Sequence, residues 1–148
     1  QPTQEIRGPA PNTASKQFFL PSKQFDSIFM RLSCAETILQ TLVHIFGGDA
    51  DTDEPAAVPG LMGAVQHVQW LLAKLHLEIV EIPSKLPDEL RLRTFEASEL
   101  IDVLEHLQFN NNFKFNRWAD DWTCTYFDAA LRAVIVAKEA LAKVGVEQ

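Results

Sequence analysis

LMGAVQHVQWLLAKLHLEIVEI, residues 61–82, decides how this chain folds. Leu61, Val65, Val68, Leu72, Leu75, Ile79 and Ile82 recur at alternating steps of three and four residues. That is the period at which one face of an α-helix repeats, so the stretch is read as a helix with a continuous buried seam. Pro83 ends it, because a proline ring disfavours the helical region for the residue before it.

The stretch carries more apolar surface than one seam requires. Trp70, Leu71, Leu77 and Val80 fall outside it and leave only a narrow polar strip at Gln66, Gln69, Lys74, Glu78 and Glu81. A helix that is apolar on two sides is either central in a bundle or buried twice, once internally and once against a partner. Trp70, Leu77 and Val80 are therefore interaction candidates.

Working upstream, Phe25, Ile28, Leu32, Ala35, Leu39, Leu42 and Phe46 repeat the same alternation and predict a first helix from Lys23 to Phe46. Phe18, Phe19 and Leu20 lead into Pro21 and Ser22, with Ser22 expected as the N-cap. Gly47 and Gly48 are expected to supply a left-handed C-cap. Downstream, Ala97, Leu100, Ile101, Leu104 and Leu107 predict a third helix from Thr94 to Gln108. Before it, Leu90 and Leu92 alternate with Arg91 and Arg93, so a short turn from Pro87 and a break near Thr94 are expected. A last helix is expected from Arg117 to Lys143, with Trp122, Tyr126, Ala129, Ala133, Val136, Ala140 and Val144 on one stripe and Gly145 closing it. Asn110, Asn111 and Asn112 read as a turn. Phe113, Phe115 and Trp118 flank it, are expected to plug one end of the bundle, and join the interaction candidates.

Four helices on short to medium connections predict an all-α fold, an antiparallel four-helix-bundle-like domain over residues 18–148 with strand content near nil. The one competing ribbon pairs LRLRTF with FKFNRW, which alternate apolar and basic residues. Residues 1–17 hold three prolines and little apolar surface besides Ile6, the composition of a flexible N-terminal arm.

Charge narrows the partners. The 148 residues carry 13 Lys and Arg against 20 Asp and Glu, a net charge of −7, which disfavours binding to nucleic acid or to an anionic membrane surface. No apolar run approaches the ~20 residues a bilayer span needs. Cys34 and Cys124 are too few for a disulfide framework and are expected as small packed residues. With no secretory pattern read at the start, the cytoplasm is the expected compartment.

The motifs of chemistry are mostly missing. None of His44, His67, His76 and His106 stands in Glu-x-x-His, the pattern of helical di-metal sites, and the common zinc signatures fail as well. Neither metal nor cofactor is expected. Asp49, Asp51 and Asp53 open like a calcium loop, but Glu54 and Gly60 stand where a turn glycine and a bidentate glutamate belong. Glu99, Asp102 and His106 share a helix face and read as a solvated acidic strip. No serine elbow or phosphate-cradling loop is present.

The chain thus reads as a non-enzymatic protein–protein interaction or regulatory module, self-associating as a homodimer through an apolar helix face. The alternative is a helical bundle with chemistry of its own: phosphotransfer through His44, which sits late in the first helix, or a small apolar ligand held between the first and last helices.

Overall fold

The stripes predicted for the first two helices turn inward apart from half-buried Phe25, but that of the last helix does not. There Tyr126, Ala129 and Val136 are only half-buried, and Phe127, Ala130, Val134, Ala137 and Leu141, which repeat the same period one residue on, take the core because alanines stand at both registers. The computed structural model describes residues 16–47, 60–83, 85–110 and 120–147, with side chains at 107–110 and 120–122 outside that description. In chain order the elements are β1 (Phe18–Pro21), α1 (Ser22–Phe46), α2 (Leu61–Glu81), α3 (Asp88–Asn110), α4 (Asp120–Leu141) and β2 (Val144–Glu147). α1 packs chiefly on α2 and α4, and α3 packs on the same two helices. Every helix therefore has two main neighbours around one core, and the fold is all-α.

The core is made by the seams. Ile28, Leu32, Ala35, Leu39, Leu42 and Phe46 of α1 are buried, as are Leu61, Val65, Val68, Leu72, Leu75 and Ile79 of α2. Phe127, Ala130, Ala133, Val134, Ala137, Ala140 and Leu141 complete it from α4. The Phe46 and Phe127 rings meet with centroids 5.6 Å apart, locking the last turn of α1 to α4. Leu71, placed off the seam by its spacing, is only 6% exposed, because α2 has a neighbour on either side of its stripe.

α3 departs from expectation by running unbroken from Asp88. Leu90, Thr94, Ala97, Ile101 and Leu104 are all buried and step by four and three, so the stripe begins before Thr94 and includes it. A threonine hydroxyl hides this position from a count of apolar residues, although its methyl packs in the seam. Arg93 lies along the helix between Glu89, 3.5 Å away, and Glu96, 2.6 Å away. Asp88 and Glu89 occupy the first turn, where the helix dipole favours negative charge. The ribbon expectation fails with this, since LRLRTF is helical; FKFNRW lies outside the described residues.

Strand content is not nil. β1 and β2 form a two-stranded parallel sheet with Phe18 opposite Val144, Phe19 opposite Gly145, Leu20 opposite Val146 and Pro21 opposite Glu147. Leu20 and Val144 are buried, so this sheet joins the two ends of the described chain through the core. Val144 and Gly145 therefore belong to a strand and not to the end of the last helix. A Cβ on Gly145 would lie 2.6 Å from Phe19 Cε1, which is why the close pairing takes glycine there. Lys16 Nζ donates to the Val144 carbonyl at 3.4 Å, tying down the last part of the expected arm. Residues 1–15 of that arm lie outside the described residues.

The caps also differ from expectation. Pro21 precedes α1 with no side-chain cap, and Ser22 is already helical. Gly47 ends α1 at φ −82° with its amide donating to the Val43 carbonyl, not in the left-handed region. Among the described residues Gly60, at φ +81°, is the glycine in the left-handed region, directly before α2; Gly48 lies outside them.

Candidate functional site

The stripe that buries α2 leaves its opposite side to solvent. Trp70 is 48% exposed, Leu77 55% and Val80 55%, while every residue of the inward seam from Leu61 to Ile79 is at 4% or below. Trp70 and Leu77 stand two turns apart on one face. The Trp70 ring stacks on His67 at 5.9 Å and 20°, which fixes it against the helix surface. At the α1 border of α2, Arg31 Nη1 donates to Glu78 Oε1 at 2.7 Å and Ser27 Oγ to the same oxygen at 3.2 Å.

At the other border α2 meets α3. Gln69 Nε2 donates to Asp102 Oδ1 at 2.9 Å. Nearer the other end of α2, the His76 and Phe95 rings are tilted together with centroids 5.0 Å apart. Beyond this border α3 adds its own outward apolar residues: Leu92 is 53% exposed, Phe95 46% and Val103 46%. Sequence reasoning passed over all three. The signal was present, since Leu92, Phe95 and Val103 fall within one helical sector, but it is visible only once α3 is read as one helix from Asp88.

A second feature lies between α1 and α4. A groove of about 630 Å³ is floored by Phe25, Phe29, Ile135 and Leu141 and edged by Asp26, Glu36, Lys138 and Glu139. The Phe25 and Phe29 rings lie nearly parallel, 8° apart, with centroids at 6.5 Å. Lys138 Nζ sits 2.8 Å from Glu36 Oε1 and 5.3 Å from the Phe29 centroid, an ion pair and a cation–π contact on one ammonium.

The remaining candidates are scattered. His44 is exposed in the last turn of α1. Phe113, Phe115 and Trp118 lie outside the described residues, as does the Asp49–Asp53 loop. Cys34, expected to be packed, is exposed because it falls one position off the Ala35 seam; Cys124 is half-buried, and neither is in a disulfide. The acidic strip is not uniformly solvated: Glu99 and His106 are exposed, but Asp102 accepts from Gln69 and Glu105 is half-buried. Burial first and the Asp102 carboxylate second push the Glu105 carboxyl above its ordinary range. Among the described residues no group of three or more His, Cys, Asp or Glu side chains could hold a metal ion, and no helix is long and apolar enough to cross a membrane.

Compared with protein-family models, curated proteins and solved structures, the chain matches none. The α2 and α3 outer side offers apolar area to be covered, and the α1 and α4 groove offers an apolar floor with charge at its rim.

Proposed function

We propose that this chain is a non-enzymatic interaction module that self-associates as a homodimer through the outer side of α2 and α3. The observation that carries this reading is the half-exposure of Trp70, Leu77 and Val80 on a helix whose other side already fills the core. The reading includes an antiparallel bundle, which two pairs of contacts support. Moving along α2 from Gln69 to His76 corresponds to moving back along α3 from Asp102 to Phe95. Moving along α1 from Glu36 to Phe46 corresponds to moving back along α4 from Lys138 to Phe127.

In that register the six outward residues form three tiers: Trp70 with Val103, Leu77 with Phe95, and Val80 with Leu92. Together they offer roughly 600 Å² of apolar surface, the upper end of what a monomer's largest patch exposes. With a polar rim this approaches the ~800 Å² that each partner contributes to a standard interface. A second copy suits the charges. Lys74 rises beside Trp70 and Leu77 on α2, while Glu99 stands one turn from both Phe95 and Val103 on α3. A two-fold axis that lays α2 on the partner's α3 sets these opposite charges together twice. The same reading keeps nucleic acid and membranes out of the role and takes the cytoplasm as the module's compartment, in accord with two cysteines that form no disulfide.

Molar mass by size exclusion with light scattering, taken over a wide concentration range, tests this. The expected result is a dimer that dissociates on dilution, and a Trp70→Lys, Leu77→Glu double variant that is monomeric with an unchanged far-ultraviolet dichroism spectrum. A wild-type chain that is monomeric throughout would overturn the reading. A second reading, a ligand between the first and last helices, is favoured by the groove there.

A further inference from the structure

The groove lies across the bundle from the proposed dimer face, so it is available whether or not the chain self-associates. We propose that it is a binding site for an amphiphilic organic cation, an aryl- or alkylammonium. Its apolar body would lie on Phe25, Phe29, Ile135 and Leu141, and its ammonium would sit at the acidic rim to which Asp26 and Glu139 belong.

Size and floor define the apolar half. A volume of about 630 Å³ is that of a small-molecule site, large enough to take a phenyl ring and several methylenes. Parallel phenyl rings beside an isoleucine and a leucine present a dry surface with no hydrogen-bonding demands on the ligand body.

The sign of the charge follows from the rim. Three carboxylates, Asp26, Glu36 and Glu139, border the groove against one ammonium, Lys138. Lys138 is already matched by Glu36 at 2.8 Å, whereas Asp26 and Glu139 make no ion pair among the described residues. An anionic ligand would find its only cation neutralised and two carboxylates opposing it. A cationic ligand finds both of these carboxylates open, and its apolar body finds the phenyl and aliphatic floor. The net charge of −7 adds a field that gathers cations at the surface.

The test uses three probes of one shape: 4-phenylbutylammonium, 4-phenylbutanol and 4-phenylbutyrate. Each is titrated into the full chain at neutral pH and low salt, following the methyl resonances of Ile135 and Leu141. The cation is expected to saturate these shifts with a Kd about fivefold below that of the alcohol, the size of one exposed charge contact on such a surface. The carboxylate is expected to bind more weakly than either. Both Asp26 and Glu139 are exposed, so an Asp26→Asn, Glu139→Gln variant keeps the fold. In it the cation should fall to the alcohol's affinity while the alcohol's own affinity stays put. The proposal is overturned if the carboxylate binds as tightly as the cation, if the double variant leaves the cation's preference intact, or if the shifts appear at Leu77 and Leu92 instead. Those last residues report on the dimer face, so failure here and failure of self-association are read separately.

Discussion

Two sides of the same bundle handle exposed apolar surface in opposite ways. On the α1 and α4 side, the Phe25 and Phe29 rings are bordered by charge, and the Lys138–Glu36 pair sits directly beside the exposed Phe29. On the α2 and α3 side the polar contacts, Gln69 with Asp102, lie at the helix border, and the three apolar tiers rise beyond them. Covering the first side with another protein would desolvate an ion pair, which costs several kcal/mol unless the partner replaces every lost hydrogen bond. Covering the second removes apolar surface from water and leaves its ion pairs, Arg93 with Glu89 and Glu96, at the α3 edge of the face. Under the two proposals, one side of the bundle takes a small charged ligand and the other takes a second copy of the chain.

The strongest test of that contrast exchanges one phenylalanine on each side for glutamate. Phe95→Glu on α3 is expected to raise the dimer dissociation constant by about 30-fold or more, the cost of losing a central anchor worth ~2 kcal/mol and burying a charge in its place. Phe29→Glu on α1, at nearly the same exposure, 43% against 46%, is expected to leave it unchanged. Sedimentation equilibrium on both variants measures this, and equal losses would erase the distinction between the two sides.

A smaller effect separates them by stability. Lys138→Met removes the ion pair and the cation–π contact, leaving Glu36 half-buried and unmatched, and should lower the unfolding free energy by about 1 kcal/mol. Urea denaturation reads this, and high salt should shrink it, because a partly exposed pair is screened. A loss that persists in full at high salt would mean that the lysine stem packing on Phe29, and not its charge, does the stabilising.

What was legible in the sequence follows the same division. The inward seams of α1 and α2 were readable because leucine, isoleucine and valine mark a single helical face without interruption. Trp70, Leu77 and Val80 stood out because they break that economy. The α3 half of the outer face was missed for a physical reason: Leu90 faces the core and Leu92 faces out, so two sides of one helix imitate the alternation of a strand. Thr94 then disguised the seam between them. The β1 and β2 pairing was illegible for a different reason. Four residues ending in proline have no period to read, and their partner lies at the far end of the chain, where local pattern carries no information about pairing. The groove was half legible, as a possible space between the first and last helices, but its charge arises from side chains on two elements and exists only in the assembled bundle.

Glu105 gives the smallest expected effect and the one that isolates the fold from both surfaces. It stands four residues from buried Ile101 and seven from buried Ser98, on the inward side of α3, where its Oε2 has no hydrogen-bond partner. Burial, and then Asp102, raise its pKa above the ordinary 4.5. The folded chain therefore holds this proton more tightly than the unfolded chain does. Stability is greatest below the unfolded pKa, falls as pH rises through the interval up to the folded value, and is level beyond it. Glu105→Gln removes that fall. The variant should match the wild type in acid and exceed it slightly at neutral pH, as read by urea midpoints at several pH values, with the difference confined to the interval above 4.5. Because the carboxyl faces inward, the difference should be the same at low and high protein concentration, where that of Phe95→Glu is not. A glutamine variant less stable than the wild type at neutral pH would show that the Glu105 carboxylate is held by a favourable contact in the fold, and not merely tolerated beside Asp102.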